Sequence, residues 1–259
     1  MDATLSAYDS GGGQRWLDAV LGFLYPEWCQ ICRAEPADAA NGYVGWSCQG
    51  GPQGVRWVDA PYCRRCGMPY SGEIAVEFEC ANCRGAALGF DWARAAVVAT
   101  PLVLDVVHRY KYNAAKWFEP FLSGLLAARA VSALAGAAGE AGWDYLVPVP
   151  LHPVKRRERG FNQAHRLALG LSQASGVPLN ERLLRRVEYT QTQTMLNRDQ
   201  RAENVRDAFC LRPGADVRGR RVVLVDDVLT TGSTTSACAR VLRDEGALEV
   251  GVWTVARGV

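Results

Sequence analysis

The sequence predicts an α/β protein, a mainly parallel sheet flanked by helices, with a small N-terminal cysteine-rich module. Three observations carry this expectation. Residues 222–234 read VVLVDDVLTTGST: an aliphatic run, two carboxylates, a hydroxyl- and glycine-rich turn, and then a helical pattern over Ser236–Glu245. Seven of the nine cysteines fall between Cys29 and Cys83, six of them in Cys-x-x-Cys pairs. The 259 residues are 49% hydrophobic, enough for a large core. The expected division is a cysteine-rich front over residues 1–92 and a larger domain over residues 93–259.

Charge is spread unevenly. Residues 1–92 carry 6 Lys+Arg against 11 Asp+Glu, which leaves 23 against 16 in residues 93–259, so anionic ligands are expected on the second part. Asp105 and Arg129 interrupt the two best apolar runs before either reaches the roughly 18 residues of a membrane span. Asp2 and Asp9, with only Arg15 before the apolar stretch Leu17–Tyr25, do not make a signal peptide. A cytoplasmic protein without membrane insertion is expected. Leu17, Val20, Leu21 and Leu24 lie at helical spacing and would pack against the body.

Cys63-x-x-Cys66 and Cys80-x-x-Cys83 supply a four-thiolate set, since two thiolates on one tight turn can reach the same ion. Disulfides are the alternative, disfavoured in a reducing compartment. Residues 26–92 hold only seven Val, Ile or Leu, too few for an independent core, so metal is expected to stabilise the segment. Cys29, Cys32 and Cys48 form an incomplete first set, with Gly51 where a fourth ligand would stand. Cys210 and Cys238 read as buried core thiols.

Asp144–Pro150 is a second strand candidate, leading into a proline-punctuated basic loop with Lys155, Arg156, Arg157 and Arg159; pyrophosphate is its natural counter-charge, a solvated loop the plainer reading. Asn162 is placed to cap a helix Gln163–Ser175 with the apolar stripe Ala164, Leu167, Ala168 and Leu171. His108 and His165 read as packing or surface residues, and His152 beside the basic loop as the histidine with a functional chance. Residues 188–206 are polar and carry Gln193, Arg198, Arg201 and Arg206, the makings of a lid over an anion. The last strand is expected over Val250–Ala256.

The chemistry concentrates at Val222–Thr234. A phosphate at a helix N-terminus meets unpaired N–H groups and the positive end of the helix dipole. Gly232 allows close approach, and Thr230, Thr231, Ser233 and Thr234 add hydroxyl donors. Asp226 and Asp227 would repel that phosphate but would accept hydrogen bonds from vicinal ribose hydroxyls, so the string suggests a ribose 5-phosphate. An acidic turn with an ordinary helix cap is the plainer reading. None of the three lysines follows a glycine, which removes the GxxxxGK[ST] nucleotide loop.

VVLVDDVLTTGST resembles the signature with which type I phosphoribosyltransferases bind 5-phosphoribosyl 1-pyrophosphate (PRPP). Together with PVPLHP at Pro148–Pro153, RGFN at Arg159–Asn162, and Gln193–Leu196 followed by Arg201, Asn204 and Phe209, it makes nearly the whole chain similar to the ComF family, competence-associated phosphoribosyltransferase-like proteins with an N-terminal double zinc ribbon. The resemblance implies a type I phosphoribosyltransferase fold. It implies that Asp226 and Asp227 hold the ribose hydroxyls, Thr230–Thr234 the 5-phosphate, and Lys155, Arg156 and Arg159 the pyrophosphate, with Mg2+ accompanying PRPP. Asp226, Asp227, Arg156 and Arg201 are the catalytic candidates. It also implies a link to uptake of single-stranded DNA in natural transformation.

Gly51 departs from the cysteine common in the family, and no segment spells out a base-binding surface; residues 101–135 or the zinc module would have to supply it. Two functions follow: an enzyme that displaces pyrophosphate from PRPP, or a DNA-uptake adaptor that holds single-stranded DNA or a partner. In the second, Trp46, Trp57, Tyr62 and Tyr70 would stack on bases, if they are not simply the core of the module.

Overall fold

The computed structural model describes residues 27–70, 72, 78–135, 142–187 and 208–259. The expected helix around Leu17–Leu24 and the expected lid at 188–206, with Arg201, lie outside these residues. Six strands are described: β1 (Trp92–Val98), β2 (Tyr145–Pro148), β3 (Leu184–Arg186), β4 (Phe209–Leu211), β5 (Arg221–Leu229) and β6 (Glu249–Arg257). Four of them form a wholly parallel sheet in the order β1-β6-β5-β2, while β3 and β4 make a separate antiparallel pair.

Helices cover both faces, as a buried parallel sheet requires. They are α1 (Trp46–Gly50), α2 (Pro101–Tyr112), α3 (Glu119–Ala135), α4 (Pro153–Arg159), α5 (Gln163–Ser175) and α6 (Ser233–Asp244). Because side chains alternate along a strand, Val223 and Val225 enter the core shared with α2, α3 and α5, and Val222 and Leu224 the core shared with α6 and the β3–β4 pair. Asn162 caps α5 as expected, its side chain accepting from the Ala164 N–H at 3.1 Å, and Ala164, Leu167, Ala168 and Leu171 are buried.

Three local expectations need correction. The strand placed at Val222–Val225 continues to Leu229: β2 stops pairing at Pro148↔Val225, but β6 goes on through Asp226↔Thr254, Val228↔Ala256 and Leu229↔Arg257. The basic segment after Pro150 is the helix α4, not a loop. His152 Nδ1 accepts from the Val154 N–H, Pro153 takes the first position where a missing N–H costs nothing, and Gly160 closes the helix at φ 79°. Finally, Lys116–Ala135 is long and apolar enough by length and composition to cross a membrane despite Arg129. Here its Phe121, Leu122, Leu125, Leu126 and Ala130 are core residues, and Arg129 reaches Asp59 at 2.6 Å.

Both sheet edges are covered, which removes the hazard of unpaired strand groups. Residues 56–58 run antiparallel to β1, with Val58 N–H on Ala96 O and Arg56 O accepting from Val98 N–H. Residues 178–180 run beside β2, bonded to both polar groups of Leu146. The cysteine-rich module is therefore seated on the sheet itself: Arg65 O accepts from Ala93 N–H at 2.7 Å and Arg64 O from Arg94 Nη1 at 2.9 Å. Gly67 adopts φ 64° at this seat, where a Cβ would lie 2.8 Å from Ala93 O.

Candidate functional site

All four parallel strands end on one side, and the carboxyl end of β5 carries the acidic pair. Asp227 is 3% exposed. Its Oδ1 accepts from Lys111 Nζ at 2.8 Å, while Oδ2 is buried and has no hydrogen bond to another described group. Asp226 accepts from the Asp227 N–H at 2.9 Å. Burial and the adjacent Asp227 charge raise the Asp226 carboxyl from the ordinary aspartate range to about 7, against the opposing pull of Lys111 and Arg159. Burial opposes the charge on Lys111, but Asp227 and Asp226 keep its amine above the usual lysine range.

Sequence reasoning missed Lys111. It lies on α2 four residues beyond Val107 and eight beyond Val103, both buried, so a lysine continuing an apolar stripe was the available signal.

Beyond Leu229 the chain turns through Thr230–Gly232 into α6. Gly232 adopts φ 76°, and a Cβ there would find ordinary contacts at 3.5 Å, so its requirement is the backbone conformation rather than space. Thr231 Oγ1 and Ser233 Oγ lie 2.8 Å apart, and Thr235 Oγ1 donates to Gly232 O. α6 starts without a side-chain cap. The predicted residues Asp226, Asp227, Thr230, Thr231, Gly232, Ser233 and Thr234 are thus gathered at one strand end.

Lys155, Arg156, Arg157 and Arg159 lie on α4. Arg159 stacks over Tyr112 at 5.1 Å and donates to Gln163 Oε1, which brings α4 against the end of α2. Burial, then Arg186 and Arg159, hold the Lys155 amine below the usual lysine range. Two clefts that share Pro150, Leu151, Arg156, Gly160 and Arg212 run from α4 past β3, and Arg157, Arg182, Arg185 and Arg186 add to their cationic lining. His165 pairs with Glu181 at 2.9 Å, and His108 packs on Tyr112.

Seven of the nine cysteines form two clusters, and all nine thiols are free. Cys63, Cys66, Cys80 and Cys83 bring their sulfurs within 4.8 Å of one another. Burial works against ionisation of Cys63, but N–H bonds including that of Cys80 at 3.3 Å outweigh it and lower the thiol to about 7. The set fits a tetrahedral zinc centre. The first cluster corrects the expectation at Gly51: Glu35, not residue 51, stands with Cys29, Cys32 and Cys48, again within 4.8 Å. Its carboxylate accepts from the Ser47 and Cys48 N–H groups, and a Cβ at Gly45 would overlap it. Cys238 is buried as expected; Cys210, half-buried on β4, accepts from Arg185 Nε at 3.0 Å. Trp46, Trp57 and Tyr70 are exposed rather than core, with Trp57 beneath Arg129 and Tyr62 beneath Arg94.

Comparison with known proteins agrees with this architecture. Residues 157–258 match the phosphoribosyl transferase domain family. Competence protein F of Haemophilus influenzae is 31% identical over 235 residues, spanning 88% of this chain and 96% of that protein. DNA utilization protein YhgH of Escherichia coli is 31% identical over 234 residues, 90% of this chain and 97% of that protein. Among solved structures, an adenine phosphoribosyltransferase matches with a TM-score of 0.35 and 19% identity, over 54% of this chain and 71% of that one. With competence protein F and YhgH aligned almost end to end, and a phosphoribosyl transferase domain behind a pair of cysteine clusters, the chain belongs to the competence protein F (ComF) family.

Proposed function

We propose that the chain binds PRPP at the carboxyl end of β5. The observation that carries this reading is the half-paired end of that strand, where Asp227 keeps a buried, unbonded Oδ2 beside Asp226 and the hydroxyl-rich turn leads into an uncapped helix. Ribose hydroxyls donate to the acidic pair, and the 5-phosphate meets Thr230–Thr234 and the start of α6. Lys155, Arg156 and Arg159 face the pyrophosphate, whose negative charge offsets the burial and the neighbouring Arg186 and Arg159 that hold the Lys155 amine below the usual lysine range. The carboxylate pair also suits Mg2+, which supplies charge neutralisation for the pyrophosphate when bound. Cations near the pyrophosphate would stabilise its departure from C1 through an oxocarbenium-like transition state.

Asp226→Asn is expected to weaken PRPP binding by about 1.5–3 kcal/mol, the worth of a charge-assisted hydrogen bond. Unchanged affinity on calorimetric titration would remove the ribose assignment. Pyrophosphate release on mixing with PRPP and a panel of bases separates an enzyme from a binding protein.

The continuous cationic clefts beside α4 favour a second reading, in which single-stranded DNA is held there, and the names of its relatives, competence protein F and DNA utilization protein YhgH, favour it too. Log affinity should then fall with log salt at a slope of about −0.7 per phosphate contact. Arg157→Glu together with Arg182→Glu is expected to weaken DNA binding roughly tenfold while PRPP affinity stays. DNA affinity unaffected by the double change moves this surface elsewhere, with the exposed tryptophans of the module next in line.

The cysteine clusters are read as structural zinc sites, two per chain. Elemental analysis should give two zincs in the wild type and one in Glu35→Ala. A single zinc in the wild type would leave Glu35 outside the ligand set.

A further inference from the structure

Arg257 ends β6 and is 3% exposed, a cation deep inside the protein. Burying a charge is costly unless its hydrogen bonds and counter-charge are supplied. Its bonds go to main-chain carbonyls and one sulfur. Nε donates to Cys66 O at 3.0 Å, and Nη2 lies 3.5 Å from Cys66 Sγ. Nη1 donates to Leu229 O at 2.9 Å, to Thr230 O at 2.8 Å, and to Gly258 O. One rigid fork thus grips the last residue of a Cys-x-x-Cys pair, the last residue of β5 and the first residue of the turn after it. A cavity of about 120 Å³ is lined by residues of both, Cys66 and Cys83 with Thr230, Thr231 and Gly232, and by Arg257 itself.

The counter-charge follows from the metal chemistry. Four thiolates around one Zn2+ leave an excess of about two negative charges, and Arg257 lies against one of those sulfurs. Zinc held by Cys63, Cys66, Cys80 and Cys83 would therefore supply the counter-charge for the guanidinium, which donates to the carbonyls of Leu229 and Thr230 and so fixes the direction of the turn. Lysine cannot span these acceptors with a single compact ammonium.

We propose that Arg257 is a positioning residue that couples zinc occupancy to the phosphate turn, so that zinc and a phosphorylated sugar raise each other's affinity. Such linkage is reciprocal by thermodynamic necessity. The inference rests on the reading of Thr230–Thr234 as a phosphate cradle.

The test uses the zinc-loaded full chain and ribose 5-phosphate. Binding of the sugar is measured by calorimetry, and zinc transfer to a chromophoric chelator is timed with and without a saturating amount. In the wild type the sugar is expected to slow release of zinc about fivefold or more, the lower end of ordinary coupling. In Arg257→Lys, release should be insensitive to it. Arg257→Gln, which keeps an amide donor without the charge, serves as a second variant if the first does not fold. Sugar that binds the wild type without slowing release overturns the coupling and leaves the phosphate reading intact. Coupling that persists in a folded variant overturns the role of Arg257. Failure of the sugar to bind the zinc-loaded wild type overturns the phosphate reading and the coupling with it.

Discussion

Asp227→Asn is expected to destabilise the protein by about 3–5 kcal/mol, the cost of removing one partner from a buried ion pair. Lys111 Nζ stands 2.8 Å from Asp227 Oδ1, with the two side chains 20% and 4% exposed, so the ammonium left behind has little water to turn to. Lys111→Met combined with Asp227→Asn should recover most of the loss, because no unpaired charge remains. The neighbouring Asp226→Asn should behave in the opposite way. Its carboxyl is raised from 3.8 to about 7 by burial and by Asp227. A folded-state pKa above the unfolded one lends stability that is full below about 4 and is lost as the pH rises through about 7. Asparagine needs no proton, so at pH 8 this variant should be at least as stable as the wild type. Urea denaturation at pH 6 and pH 8 decides the matter, and equal losses at the two positions would contradict the pairing. From sequence alone the two substitutions look alike, both sparing the fold; Lys111 is what separates them.

Removing the proposed zinc from the second cysteine cluster should have a larger effect still. Structural zinc contributes on the order of 10 kcal/mol of folding free energy to small thiolate modules, and this cluster has little else around it: Cys63, Cys66 and Cys83 are its buried residues, with only a few partly buried neighbours. Cys83→Ser, or a strong chelator, is expected to unfold the module and strip residues 56–58 from the edge of β1, where unpaired groups invite aggregation. Thermal unfolding should shift to lower temperature with a rise in light scattering, and added zinc should reverse the chelator's effect. A melting curve indifferent to chelator would mean that the cysteines support the module without metal.

The central strand, the acidic pair, the hydroxyl-rich turn and the capped helix α5 were legible because each depends on local rules: aliphatic runs, strand-to-helix turns and an asparagine ahead of an amphipathic stripe. Pair spacing likewise identified Cys63, Cys66, Cys80 and Cys83. What was not legible depends on distant partners. Leu229 is a strand residue because β6 continues beside it after β2 has stopped, which no property of residues 226–229 reveals. Glu35 joins a cluster only because Gly45 leaves room and Ser47 and Cys48 present their N–H groups, so a search along the chain for a fourth cysteine settled on Gly51 instead. The β3–β4 pair, three residues on each side, is too short to stand out as a periodic pattern.

The sheet order has a consequence for how the protein comes to be made. β6 lies between β1 and β5, although it is synthesised after both, some 150 residues downstream of β1. On the ribosome β1 has only the short segment 56–58 beside it until residues 249–257 emerge, yet the residues of both cysteine clusters are present once residue 83 is out. Capture of the proposed zinc can thus precede sheet assembly, leaving a folded module joined to an open core. A nascent chain stalled between these two events would be ordered at its front and open behind, and it would depend on chaperones for as long as the centre of its sheet was missing.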